Sequence, residues 1–303
     1  MKKQALVAMA AIPALLFAVS AHAADAQQSS QTSQAVLHPL GLKFTPLGAN
    51  VPKMNATEAS LASKPVTATP ASFVLTNIPP VGDQGQQGSC VAWSTAYYQK
   101  SFGHGLTTSY SSSNEYSPSF VYNQLNGGVD GGLYPVDAYN LLVSKGDTTL
   151  SKMAYNQYDY TTQPNSTQLA DAALHKNLGS TNIFQGAGKG NATAQQAVKN
   201  ALVGTSGDQR LVGIAIPVYP EWDNAQANDT YVVDAHKSGE KSRGGHMVTI
   251  VGYDDNKVYN GYTGAFKVVN QWGTSWGNKG YTWISYDMFS KEVQEAWYMN
   301  TNN

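Results

Sequence analysis

The sequence predicts an α+β protein of two lobes, and three observations carry that reading. Apolar residues recur with helical spacing after the single cysteine, Cys90, with no breaker until Gly103. Further helical patterns follow at Pro118–Leu125, Pro135–Val143 and Gln195–Leu202. From Leu211 onward the period changes to that of strands. Helices first and strands later imply α+β rather than an alternating parallel sheet. A helical lobe, about 77–160, would face a sheet lobe, about 161–303, across a cleft where ligands bind.

Each element has a local reason. The stretch Asp83-Gln84-Gly85-Gln86-Gln87-Gly88-Ser89-Cys90 is a glycine-punctuated loop that gives way to Val91-Ala92-Trp93-Ser94-Thr95-Ala96-Tyr97-Tyr98, so Cys90 opens a helix. Ser117 is an N-cap with Pro118 at the first helical position. The loop Asn126-Gly127-Gly128-Val129-Asp130-Gly131-Gly132 feeds the next helix. Strands are expected at Leu211–Tyr219, Met247–Tyr253, Ala265–Asn270 and Gly280–Tyr286, with turns at Asp254-Asp255-Asn256 and Trp272–Gly280.

Charged residues make up 13% of the chain and the net charge is −1, which gives no electrostatic footprint for nucleic acid or an acidic membrane. Met1-Lys2-Lys3, an apolar run from Ala5 to Val19 and Ala21-His22-Ala23 form a secretory leader with cleavage expected after Ala23. The run is too short for a membrane anchor, so a secreted or periplasmic monomer is expected. Residues 24–76 turn to Gln, Ser, Thr, Ala and Pro, interrupted by the apolar islands Leu37–Phe44 and Phe73–Leu75. Two readings stand: a tether with incidental hydrophobes, or a short pro-segment lying in the active cleft until it is removed.

An exported chain with one cysteine cannot form an internal disulfide, which points to intermolecular pairing or a reactive thiol. At a helix N-terminus, unpaired N–H groups and partial positive charge favour thiolate, the nucleophilic form. A lone cysteine is more often a small buried hydrophobe, but the adjoining glycines and Gln84, an amide donor six residues upstream, argue otherwise. A thiolate nucleophile needs a base. His22 lies in the leader and His38 in the linker; His104 and His175 fall at helix ends and His236 in a polar run. His246 follows Gly244-Gly245 and opens an apolar strand, which holds it rigidly at the cleft. Asn270 ends the next strand and is suited to orient the imidazole, with Trp272 shielding the pair from water.

Together, Gln84-Gly85-x-x-Gly88-Ser89-Cys90, Gly244-Gly245-His246-x-Val248-x-Ile250-Val251-Gly252-Tyr253 and Asn270-x-Trp272-Gly273-x-x-Trp276-Gly277 resemble the papain-like cysteine peptidases, particularly their exported bacterial branch. The chain order Cys, His, Asn agrees, and 156 residues separate Cys90 from His246, close to the roughly 130–150 of that family. The resemblance implies a two-lobed fold with a β-barrel-like sheet lobe, a polypeptide substrate and no cofactor or metal. It implies that Cys90 attacks the scissile carbonyl, that His246 holds the thiolate as imidazolium and then protonates the leaving amine, and that Asn270 orients the ring. Gln84 would donate to the oxyanion, Gly131 and Gly132 would take extended substrate by backbone hydrogen bonds, and Trp272 would wall the leaving-group side. Two departures stand out. Gln87 replaces the cysteine usual three residues before the nucleophile, so a supporting disulfide is lost and the helical lobe would rest on packing alone; Val91 replaces an aromatic. An acyltransferase or transglutaminase-like enzyme, an exopeptidase and a non-catalytic exported binding module are the rival readings.

Overall fold

The computed structural model describes residues 37–49, 68–105, 109–204 and 208–300. The leader and most of the linker lie outside these residues. The element on which both lobes rest is helix α1, made of Cys90–Ala92, Trp93–Lys100 and Ser101–Gly105 without interruption. Its middle stretch is π-helical, and the Ser101 N–H donates to Ala96 O, five residues back. Such widened turns occur chiefly at functional sites.

Two further helices, α2 (Pro118–Leu125) and α3 (Pro135–Ser144), pack against the start of α1. Ser117 accepts from the Phe120 N–H at 3.4 Å with Pro118 following, the cap that the sequence announces. Phe120, Val121, Tyr139 and Leu142 from these helices close on Val91, Ala92 and Ala96 of α1. Helix α4 (Ser166–Ala172) has a capping box between Asn165 and Gln168, an Asn-x-x-Gln signal legible in the sequence but not read there.

The sheet contains β1 (Ser72–Val74), β2 (Gly179–Gln185), β3 (Val212–Pro217), β4 (Val232–Val233), β5 (Gly245–Tyr259), β6 (Tyr262–Val269), β7 (Tyr281–Ser285) and β8 (Glu295–Asn300). Its order is β2-β8-β3-β5-β6-β7-β4, with β1 on β5, and every pairing except β4 with β7 is antiparallel. Three helices accompany it: α5 (Ala192–Val203), the short α6 (Pro220–Asp223) and α7 (Tyr286–Glu292). Alternation along β3 explains how the lobes join. Ile214 and Ile216 enter the core that holds Phe266, Ile284 and Phe289, while Ala215 faces the helical cluster. Gly213 shares that second face, where a Cβ would come within 2.5 Å of Gln99 Nε2. Small residues there let α1 lie close on the sheet. At the far end of α1, buried Lys100 donates to His175 O at 2.5 Å and Asn177 Oδ1 at 2.6 Å.

Two expectations are corrected. The chain does not turn back at Asp254-Asp255-Asn256; β5 runs on to Tyr259, and a register irregularity between Asp254 and Val258 absorbs the polar residues. The turn is Asn260-Gly261, with φ of 48° and 84°, the two positive dihedrals that a two-residue hairpin demands. The last expected strand stops at Ser285, whose hydroxyl accepts from Met288 N–H at 3.0 Å and starts α7. The two apolar islands are not loose: Phe73 pairs with Tyr253 in the sheet, and Leu37–Phe44 crosses the candidate site. No described helix is long and apolar enough to cross a membrane.

Candidate active site

Cys90 is the first residue of α1 and His246 the second of β5, and the lobe junction brings them together: the Met247 N–H, next in chain to His246, donates to the Cys90 sulfur. The His246 ring nitrogen Nε2 lies 2.8 Å from Asn270 Oδ1. That oxygen also accepts from the Gln271 N–H at 2.9 Å, so it is an acceptor and the ring must donate to it. The tautomer is thereby fixed with the proton on Nε2, and Nδ1 is left buried, unprotonated and without a hydrogen-bond partner. Trp272 covers the pair, its ring 4.6 Å from the imidazole and tilted by 33°. Trp222 stands edge-on at 6.3 Å.

Gln84 is placed by its backbone. Its N–H donates to Gln271 O at 2.8 Å, and its carbonyl accepts from Tyr155 hydroxyl at 2.8 Å. Its amide nitrogen approaches Gln87 O at 2.8 Å, Leu40 O at 3.2 Å and Pro39 O at 3.3 Å. Gln87, in the position that lacks its cysteine, is not idle. Its amide reaches Asn156 O at 3.3 Å, Asp159 O at 3.4 Å and Gln157 O at 3.5 Å, tying the loop to residues 156–159. The expectation that packing alone supports this lobe is corrected accordingly. Gly88 N–H donates to Asp130 Oδ1 at 2.9 Å, and Tyr122 hydroxyl donates to the same oxygen.

Residues 37–49 form a strap across this centre. Leu42 N–H donates to Gly245 O at 3.2 Å, Lys43 N–H to Leu133 O at 2.8 Å, and Leu133 N–H to Gly41 O at 2.8 Å. Leu42 is thus antiparallel to Gly245 and parallel to Leu133. Its side chain joins the buried cluster of Cys90, Met247, Ala215 and Val136. Upstream, His38 stacks on Trp272 at 4.7 Å, and Arg243, paired with Asp223, donates to His38 O at 2.9 Å. Downstream, Thr45 is held from two sides: its N–H donates to Glu295 Oε1 at 2.6 Å, and Gln185 Nε2 donates to its carbonyl at 2.9 Å.

Against the strap, Leu133 rather than Gly131 or Gly132 supplies both backbone groups that meet it. Gly132 serves by close approach: at φ +79°, a Cβ would lie 2.3 Å from Gly41 O. Gly131 is exposed and touches no part of the strap backbone among the described contacts. On the strap, a Cβ on Gly41 would lie 1.9 Å from Gly88 O.

Under the strap both Cys90 and His246 are fully buried, and burial sets their charge. Desolvation pushes the Cys90 thiol up to about 12, against the N–H groups of Met247, Val91 and Cys90 itself. Desolvation also pushes His246 down to about 3; the Asn270 hydrogen bond favours the cation, while Arg243 and His38 oppose it. The covered site therefore holds a neutral thiol and a neutral imidazole, where the sequence led us to expect an ion pair. Helix-terminal N–H groups do not outweigh full loss of water. Among the described residues no three His, Cys, Asp or Glu side chains gather as metal ligands would.

Residues 71–299 match the family model of papain family cysteine proteases. Thiol protease aleurain of Arabidopsis thaliana is 30% identical over 212 residues, 67% of this chain and 51% of that protein. The chain therefore spans about half the length of that curated relative. Among solved structures, xylellain, a cysteine protease from Xylella fastidiosa, aligns with a TM-score of 0.64 at 20% identity, covering 88% of this chain and 96% of its own. The digestive procathepsin L2 of Tenebrio molitor larval midgut aligns with a TM-score of 0.63 at 20% identity, covering 87% and 78%. The structural likenesses speak for the fold and the family match for descent, and this chain belongs to the papain family of cysteine proteases.

Proposed function

We propose that the chain is an exported cysteine endopeptidase that hydrolyses polypeptides through a thioester acyl-enzyme, and that residues 37–49 hold it latent. The observation that carries the catalytic reading is the fixed tautomer of His246, whose Nε2–H is spent on Asn270 while Nδ1 is left free beside the nucleophile's lobe junction. With the strap lifted, water returns and the thiol proton passes to Nδ1. The Cys90 thiolate attacks the scissile carbonyl, and the oxyanion accepts from the Gln84 amide and the Cys90 N–H. His246 then gives its proton to the departing amine, and water, deprotonated by the same nitrogen, releases the acid and the free thiol.

Latency follows from the strap's direction. In a productive complex the residues after the cut lie on the leaving-group side, where the resemblance puts Trp272. The strap sets an earlier residue, His38, against Trp272 and later ones, Lys43 and Thr45, away from it. Its peptide bonds face Cys90 backwards and are not cut. The carbonyls of Pro39 and Leu40 occupy the Gln84 amide meanwhile.

The test is cleavage of a peptide library by the full chain, by the chain beginning at Ala71 and by Cys90→Ala, under reducing conditions. Internal cuts by the shortened chain, fewer by the full chain and none by Cys90→Ala are expected. Cutting by Cys90→Ala would end the nucleophile assignment. Equal rates from the two other forms would end the latency. Export rests on the Met1-Lys2-Lys3 leader, and N-terminal sequencing of secreted protein should begin at Ala24.

A further inference from the structure

Gln271 lies between Asn270 and Trp272, is fully buried, and meets Asn270, Gln84, His246 and Met247. Its N–H donates to Asn270 Oδ1 at 2.9 Å, and its carbonyl accepts the Gln84 N–H at 2.8 Å. Its side-chain amide donates to Met247 O at 2.8 Å, which fixes which end of the amide is nitrogen. That nitrogen stands 3.4 Å from His246 Nε2, the ring atom whose proton Asn270 accepts. Two N–H groups thus face one another inside a site closed to water, while the amide oxygen of Gln271 has no hydrogen-bond partner. Such an arrangement stores a cost. It falls chiefly on the imidazolium, because positive charge on the ring is largest when both nitrogens are protonated.

We infer that Gln271 is a positioning residue of this site: its side-chain amide ties down the Met247 carbonyl and opposes the His246 Nε2–H, and so sets how readily that imidazole releases its other proton. The inference rests on the catalytic reading above. Asn270 alone stabilises the imidazolium and makes it a reluctant acid. The opposed amide offsets this, so the proton bound at Nδ1 passes more easily to the departing amine. The same amide steadies Met247, whose N–H donates to the Cys90 sulfur. Other charged groups around the ring are Arg243 and, from the strap, His38, both of which disfavour the cation; Asp223 is engaged with Arg243. Trp222 and Trp272 are neutral walls.

The experiment follows alkylation of Cys90 by iodoacetamide and peptide hydrolysis from pH 4 to 9, in full-length chains carrying Gly41→Val to lift the strap. Gln271→Met keeps the length and removes the N–H; Gln271→Glu puts acceptor oxygens in its place. The alkaline limb, where the imidazolium is lost, should rise by about half a pH unit in Gln271→Met and by about one or more in Gln271→Glu. A merely structural role lowers the rate at every pH and leaves the limbs in place, and unmoved limbs overturn the inference. A parent chain in which Cys90 reacts with the pH dependence of a free thiol overturns the catalytic reading instead. A second measurement needs no substitution at Gln271: ¹⁵N-histidine spectra of the unsubstituted chain should show His246 protonated on Nε2 at neutral pH. A proton on Nδ1 would let the amide donate to Nε2 and would remove the basis of the proposal.

Discussion

The Gln84 amide is the side chain whose removal most directly separates binding from chemistry. Gln84→Ala should lower kcat by about 10²–10³ with little change in KM, because the oxyanion exists only beyond the ground state. Asn270→Ala should cost about 10- to 100-fold, less than Cys90→Ala, since it frees the ring to rotate without removing a reacting group. Single-turnover and steady-state kinetics on an uncovered chain measure both. Gln87→Ala should lower the melting temperature by roughly 2–8 °C at unchanged kcat, the effect of about 1–2 kcal/mol lost from its amide contacts. These residues were legible because each sits in a short stretch whose residue types announce it: a thiol after glycines, a histidine at a strand mouth, an asparagine before Trp272-Gly273. Gln271 was not, since one glutamine between Asn270 and Trp272 carries no local mark of its own and gains its meaning only from Met247 and His246 lying beside it.

At the scale of elements, the proposed latency rests on how the strap is held. The strap is fastened at His38, which stacks on Trp272 and accepts from Arg243, along the backbone ladder between Leu133 and Gly245, and at Thr45, held by Glu295 and Gln185. Gly41→Val forces a side chain into Gly88 O and should raise hydrolysis by the full chain at least about tenfold, with faster alkylation of Cys90 as the independent check. An unchanged rate would mean that the strap yields without opening the cleft. The sequence showed Leu37–Phe44 as an apolar island and left its purpose open. Parallel pairing of Leu42 with Leu133, 91 residues on, is set by the lobes, and no local pattern encodes it. β2 and β8 escaped for a related reason: Gly179–Gln185 and Glu295–Asn300 mix polar and apolar residues without clean alternation, so the strand period is faint. The end of β5 was misread because aspartates suggested a turn where a bulge suffices.

Over the whole molecule, closure couples to pH through the one proton that Cys90 and His246 share. Under the strap it sits on the thiol, which keeps it up to about 12, and His246 stays neutral down to about 3. In the open form, on the reading above, the same proton sits on His246 and the thiol is ionised, so the two forms bind equal numbers of protons across neutral pH and covering is level there. Once the open imidazolium is lost at alkaline pH, the open form binds one proton fewer than the covered form, and covering weakens as pH rises by about 1.4 kcal/mol per unit. Limited proteolysis within residues 37–49 should therefore be level from pH 7 to 5 and quicken as pH is raised towards about 10. Proteolysis that quickens on acidification from pH 7 to 5 would mean that the open pair is not ionised.

The backward run of residues 38–45 past Cys90 also bears on how a population of molecules matures. A cut inside that segment by its own molecule is geometrically closed, so any cut there must come from a neighbour already open. Onset of activity should then show a lag that shortens as the protein is concentrated and disappears when a trace of open enzyme is added. A lag indifferent to dilution would mean that each chain frees itself.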